Sequence, residues 1–331
     1  MIQPAAASTS PAIAGKKPGD LASAMNADDK KTMPAEDMKA LIADMQQHGD
    51  AARGEKIFRR KTLSCLSCHA LGGAGGLVGP DMSNVGAASP IDYVIDSVLS
   101  PNKTVKEGYN AFSVLTKDRE MFLGNIVRQT ATHLILRDGT HDEIAIPLDE
   151  IAKNGKREAG SLMPNGLADS LTRGEFCDLI RFLTELGKPG AFSMAQSVAV
   201  RRYRVMDPVL DEAVLPGVAD AAKFTWVPVV AEVSGQLPAA EIPRGKAKAI
   251  GFVRFDLDVS TEGKVALRVN SMKGITAALD GAAVDLASGS VDLKKGVRSF
   301  ILEIDFQKRG DEGLKIDVEE SAGSAARFQR K

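Results

Sequence analysis

The chain has 331 residues, with 42 Lys and Arg against 43 Asp and Glu, a formal net charge of −1. This balance gives no global reason to expect nucleic acid or an anionic membrane as a partner. No apolar run approaches the ~20 residues that span a bilayer, since the longest, around Ile91 to Leu99, is broken by Asp92 and Asp96. The length predicts two domains, and three cysteines in a chain of this size exclude a disulfide framework.

Residues 1–34 are rich in Ala, Ser, Pro, Lys and Asp without a helical or alternating period, and are expected to form a flexible leader. The start, Met1-Ile2-Gln3-Pro4-Ala5, has no basic stretch followed by an apolar one. The expectation is a mature form or a piece of something longer. A first helix is predicted over Ala35 to Gln47, with Met38, Leu41, Ile42 and Met45 on one face and Gly49 ending it. Asp50 is the expected N-cap of a second helix through Arg60. A glycine-rich loop follows the first two cysteines, and Pro90 to Leu99 is predicted as a short helix.

The pattern then changes. Phe112–Leu115, Met121–Val127, His133–Leu136 and Ile144–Leu148 are short strand-like runs separated by turns such as Asp138-Gly139. They predict a small β insert at about 111–152. Thr172 and Glu175 have the spacing of a capping box, and Phe176, Leu179, Ile180 and Leu183 follow as a helical stripe closed by Gly187 and Pro189. Residues 191–320 alternate in short runs such as Phe252–Val259, Val265–Val269 and Ser299–Phe306, which predicts an all-β antiparallel sandwich. A polar, frayed tail is expected over 321–331.

The chemistry is concentrated in Cys65-Leu66-Ser67-Cys68-His69. Two thiols three positions apart can each add to one vinyl group of the same porphyrin edge, and the next histidine is then held beneath the iron. One covalent haem c is therefore expected, bound through Cys65 and Cys68 with His69 as an iron ligand. A zinc site would need a fourth ligand and usually a second paired set, which is missing. A redox Cys-x-x-Cys belongs beside a βαβ pattern, also missing. For the second ligand the candidates are His48, His133, His141 and the eleven methionines. Met163 stands out, because Ser161-Leu162-Met163-Pro164 forms a loop just before the helix at Thr172 and can fold over the open haem face.

With these residues stated, positions 50–187 resemble the haem-binding cytochrome c domain typical of the planctomycete–verrucomicrobial group. The match comprises Gly49-Asp50 with Gly54–Phe58, the Cys65–His69 motif, Val78-Gly79-Pro80-Asp81, Ser100–Lys103, Ser161–Pro164 and Asp178–Leu183. The resemblance implies a multidomain α+β protein whose 35–190 region is a mainly α class I cytochrome c core, with the helix of Phe58 crossing the last helix near Phe176 and Leu179. It implies that the Pro80 carbonyl orients His69 and that Met163 is the distal ligand. Met82 departs from the leucine usual in the family and is expected on the His69 side, out of reach of iron. The C-terminal half looks like galactose-binding or protective-antigen-type sandwiches, on Ala278–Val284 and Leu293–Phe306.

Other residues have plainer readings. Cys177 is expected as a small buried hydrophobe, and Trp226 as an anchor of the sandwich core. Lys56, Arg59, Arg60 and Lys61 are expected on a solvated helix face, with a rim for an acidic redox partner as the sharper alternative. The expected function is one-electron transfer outside the cytoplasm, in the periplasm or an equivalent compartment. The donor would be a dehydrogenase and the acceptor a cytochrome or oxidase; neither nucleic acid nor a transmembrane segment is involved. The alternatives are a polysaccharide-binding module carrying a cytochrome, and a peroxidase-like haem enzyme with His133 as its acid–base group.

Overall fold

The computed structural model describes residues 33–138, 143–194, 197–210, 215 and 224–330. Residues 1–32 of the leader expected over 1–34, Gly139 of the expected turn, His141 and Lys331 lie outside the described residues. The chain divides into two compact units, Met1–Ser193 and Met194–Lys331.

The first unit opens with α1 (Ala35–His48), which buries Leu41 and Met45 and stops at Gly49. Asp50 caps α2 (Ala51–Phe58) by accepting the Arg53 N–H at 2.8 Å. One turn of helix, α3 (Cys65–Cys68), leads into a hairpin of β1 (Ala70–Leu71) and β2 (Ala74–Gly75). Two further helices follow, α4 (Val85–Ala88) and α5 (Ile91–Leu99). Then comes a five-stranded antiparallel sheet: β3 (Ala111–Thr116), β4 (Met121–Gln129), β5 (His133–Arg137), β6 (Ile144–Pro147) and β7 (Ile151–Gly160), in the order β6-β5-β4-β3-β7. The unit closes with α6 (Arg173–Glu185), where Thr172 and Glu175 form both halves of a capping box. The side chain of each satisfies a backbone N–H that the first helical turn leaves without a partner.

The α2–α6 crossing is the tightest helix contact of this unit. Phe58 meets Phe182 with ring centroids 5.7 Å apart. Asp178, buried on α6, accepts from Arg53 Nε at 2.7 Å and Nη2 at 2.9 Å, and from the backbone N–H of Asp50 at 2.7 Å. The helices thus share an ion pair and a cap as well as an apolar seam.

The expected fold class is overturned. Strand makes up 36% of the chain and helix 21%, so the protein is mostly β rather than a mainly α class I core with a small insert. The physical reason lies in the segment expected as that insert. Its sheet has its own core, with Val114, Leu134, Leu136 and Ile146 buried on one face, and it continues to Gly160 through β7. That strand, Ile-Ala-Lys-Asn-Gly-Lys-Arg-Glu-Ala-Gly, pairs with β3 along its backbone while carrying few apolar residues. An alternation test based on apolar residues passes over such a strand.

The second unit stacks a seven-stranded antiparallel sheet against a four-stranded one. At the centre of the larger sheet, Ile250–Thr261 pairs with Gly296–Asp305 in register from Ile250↔Asp305 to Val259↔Gly296. The alternate residues Val253, Phe255, Leu257 and Val259 face Val265, Leu267, Leu314, Ile316 and Val318 of the smaller sheet across one core. Phe255 and Phe300 stack within it at 4.8 Å. Trp226 is not part of that core. It packs with Met206, Phe252 and Ile301 on the other face of the seven-stranded sheet, because Phe252 and Val253 are neighbours in a strand and point to opposite faces. The tail is not frayed either: Arg327–Arg330 pairs with the edge of Ile250–Thr261.

Candidate functional site

The single turn of α3 puts Cys65 and Cys68 on one side of the backbone, since residues three apart on a helix are neighbours. Ser64 enters it in the left-handed region at φ 56°. The His69 N–H closes the turn on the Cys65 carbonyl at 2.8 Å, and His69 itself is extended. The glycine-rich loop then folds back over the motif: the Gly76 N–H reaches the Leu66 carbonyl at 2.9 Å and the Gly79 N–H reaches the Cys68 carbonyl at 2.7 Å. A side chain at Gly76 would overlap the Ser67 carbonyl, so this approach requires glycine.

His69 Nδ1 donates to the Pro80 carbonyl at 2.9 Å. A carbonyl only accepts, so the ring carries its proton on Nδ1 and keeps a lone pair on Nε2. Burial pushes the imidazole pKa down, opposed by the Pro80 carbonyl and by Asp81. Burial likewise pushes the Cys65 thiol up to about 11 and raises that of Cys68. Both thiols are therefore neutral at ordinary pH, opposite to the lowered pKa that a dithiol redox centre requires. Among the described residues, no group of three His, Cys, Asp or Glu side chains is placed to hold a metal ion.

Cys65, Cys68, His69, Pro80 and Met163 all line one cavity of about 390 Å³, within the range of small-molecule and cofactor sites. Met163 comes from the loop between β7 and α6. That loop is tied down twice: the Met163 N–H donates to Ser161 Oγ at 3.1 Å, and the Ser161 N–H donates to Asn102 Oδ1 at 2.9 Å. The remaining wall is largely apolar, with Phe58, Val94, Val98, Leu171, Leu179 and Leu183 contributed by α2, α5, α6 and the loop before α6.

Apart from Met82, the other sequence candidates described separate from this site. Met82 does line the cavity, and its backbone is fixed on the His69 side, where its N–H donates to the Ala70 carbonyl at 2.8 Å. His48 ends α1 and His133 bonds Thr132 Oγ1 at 2.8 Å; neither lines the cavity. Cys177 is buried in α6 away from the cavity, and burial pushes its thiol up to about 11. In the basic cluster, Arg60 pairs with Glu175 at 2.5 Å, while Lys56 and Lys61 are exposed.

Several cavity residues carry no local signal in the sequence. Tyr93, Lys106 and Tyr109 come from α5 and the loop after it. Asn125 comes from β4, where it is 6% exposed. Its neighbours at two-residue spacing, Met121 and Leu123, are 73% and 48% exposed. All three lie on one face of β4, which passes from open to covered along the strand, so no residue pattern in the sequence flags Asn125.

Among the described residues no helix is long and apolar enough to cross a membrane. No family model matches the chain, and no curated protein matches it.

Proposed function

We propose that the first unit binds one haem c covalently and that the protein is a one-electron carrier. The observation that carries this reading is the convergence of Cys65, Cys68, His69 and Met163 on one cavity, with His69 held in the Nδ1–H form by Pro80. The residues fit the group. Two neutral thiols stand on one face of a helical turn as tethers. The Nε2 lone pair of His69 is available as a ligand, and the Pro80 carbonyl increases its basicity. The Met163 thioether supplies a second, softer ligand from a loop fixed by Ser161 and Asn102. The apolar wall keeps water away and, together with a thioether ligand, favours the less charged reduced state.

When bound, the haem would supply a one-electron couple, with His69 and Met163 as the residues that would hold its iron, which suits transfer rather than substrate turnover. Covalent attachment of this kind belongs outside the cytoplasm, so a periplasmic or equivalent location is part of the proposal. So are a dehydrogenase as donor and a cytochrome or oxidase as acceptor. The peroxidase-like alternative needs a distal acid–base group, and His133 does not line the cavity.

The test is a pyridine haemochrome assay and a reduced-minus-oxidised visible spectrum of the exported protein, including the weak sulfur-to-iron band in the far red. The spectra are repeated for Met163→Ala and Met82→Ala. The expected result is one haem per chain, with the band lost in Met163→Ala and kept in Met82→Ala. Absence of covalent haem overturns the proposal. Loss of the band only in Met82→Ala moves the ligand from Met163 to Met82.

A further inference from the structure

Asn125 and Arg137 face each other in the pairing of β4 with β5. Each sends its side chain out of the sheet to a carbonyl on the loop that carries Pro80. Asn125 Nδ2 donates to the Val78 carbonyl, and Arg137 Nη1 reaches the Leu77 carbonyl at 3.5 Å while its Nη2 holds Glu143 at 3.0 Å. The two anchored carbonyls are consecutive. Immediately after them, the Gly79 N–H is fixed on Cys68 and the Pro80 carbonyl accepts from His69. The segment Leu77–Pro80 is thus held on one side by the sheet and on the other by the Cys65–His69 motif.

The orientation of the Asn125 amide follows from its partner. A flipped amide would set its oxygen against the Val78 carbonyl, so the nitrogen faces Val78. Its Oδ1 is then buried without a hydrogen-bond partner among the described residues, on a residue that lines the cavity. Leaving such an acceptor unsatisfied costs about 1–3 kcal/mol. An apolar residue would avoid that cost if Asn125 served only to fill the sheet.

We propose that Asn125, seconded by Arg137, is a positioning residue for His69: the sheet holds the Pro80 carbonyl where it fixes the tautomer and orientation of the imidazole. The link to a reduction potential rests on the haem reading above; the link to the His69 tautomer does not. Loosening the Leu77–Pro80 segment lengthens the Nδ1–H bond to Pro80 and makes the ring a poorer electron donor. In a haem-loaded protein this shifts the potential upward.

The experiment uses the full chain with ¹⁵N-labelled histidine, of which there are four, and compares wild type, Asn125→Leu, Arg137→Leu and Arg137→Gln. Nitrogen shifts of His69 report the tautomer in the haem-free chain, where Nε2 is not taken by iron, and the midpoint potential is read in the haem-loaded chain. The expected result is a single Nδ1–H form in wild type and Arg137→Gln, and a mixture of tautomers in the two leucine variants. Where haem is present, those two variants also have a raised potential. Should Asn125→Leu not fold, Arg137→Leu carries the comparison, because Arg137 lies at the partly exposed end of the clamp. An unchanged tautomer in the folded leucine variants overturns the inference and leaves Asn125 a purely structural residue. A chain that takes up no haem on export, yet whose tautomer still responds to the leucine substitutions, upholds the positioning role while the haem reading fails.

Discussion

The imidazole of His69 lies against the α-carbon of Gly79. A methyl group on Gly79 would stand 2.5 Å from Cε1 and 2.6 Å from Nδ1 of the ring. Both are far inside van der Waals contact, and the Gly79 N–H is committed to Cys68 at 2.7 Å, so the loop cannot retreat without losing that bond. Gly79→Ala should therefore displace the ring rather than the backbone. We expect covalent haem per chain to fall and stability to drop by about 1–3 kcal/mol, the usual penalty for overpacking. Haemochrome content and urea unfolding measure the two effects separately. A variant with wild-type haem content and stability would show that the ring has room to move.

Gly54 and Gly174 make a matched pair. A side chain at Gly54 would overlap the Asp178 carbonyl and stand 2.7 Å from Phe182 Cβ, whereas one at Gly174 meets nothing within 4 Å. Gly54→Ala should destabilise the first unit by about 3 kcal/mol, the upper end of overpacking costs, because helix backbone is what must move. Gly174→Ala, in the first turn of α6, should stabilise it by about 0.4–1 kcal/mol through the unfolded chain. Denaturant midpoints of the two variants should thus move in opposite directions from wild type; a shift of both in the same direction would contradict the packing described.

The ion pair across α2 and α6 is asymmetric, since the Asp178 side chain is 8% exposed and that of Arg53 is 50% exposed. Removing Arg53 strands a buried carboxylate, while removing the charge of Asp178 leaves a guanidinium that water can reach. Arg53→Met should cost about 3–5 kcal/mol and Asp178→Asn about 1.5–3 kcal/mol, both by chemical denaturation at neutral pH. Equal costs, or the reverse order, would mean that the carboxylate finds other donors when Arg53 is gone.

Glu175 makes one limb of the stability curve testable. Burial raises its carboxyl pKa, but the Thr172 N–H, Arg60 and the Thr172 hydroxyl outweigh it and hold the group below its ordinary value. A folded pKa below the unfolded value of about 4.3 gives a contribution that is full above that value and is lost as pH falls through the folded pKa. Glu175→Gln keeps the capping geometry, so the stability difference between wild type and variant should be constant at pH 6–7 and shrink below about pH 5. A difference that stays flat down to pH 3 would show that the carboxylate charge contributes nothing.

Local features were legible in the sequence. The cap at Asp50, the capping box at Thr172 and the spacing of Cys65, Cys68 and His69 all depend on residues within a turn of one another, where residue type and offset suffice. What escaped depends on pairing at a distance. β7 is a strand because β3 offers it a ladder, although its own residues are mostly charged or small and show no apolar alternation. Arg327–Arg330 is a strand because the edge of Ile250–Thr261 is open to it. Trp226 sits on the outer face of its sheet because register, not hydrophobicity, decides which face a residue takes. The same holds at the site: Met163 was legible from its loop and its proline, whereas Asn125 reaches Val78 from 47 residues away.

The cavity is assembled from segments that become available at different times. Cys65, Cys68 and His69 lie together near the start of the first unit, but the wall bearing Met163 follows 95 positions after Cys68, beyond the whole five-stranded sheet. Until the later segments fold in place, the two thiols and the imidazole stand on an unfinished, one-sided platform, open to a bulky planar group such as the one proposed above. Completion of the sheet and arrival of α6 then bring the opposite wall up against the same residues, so the order of folding decides how wide the approach to them is.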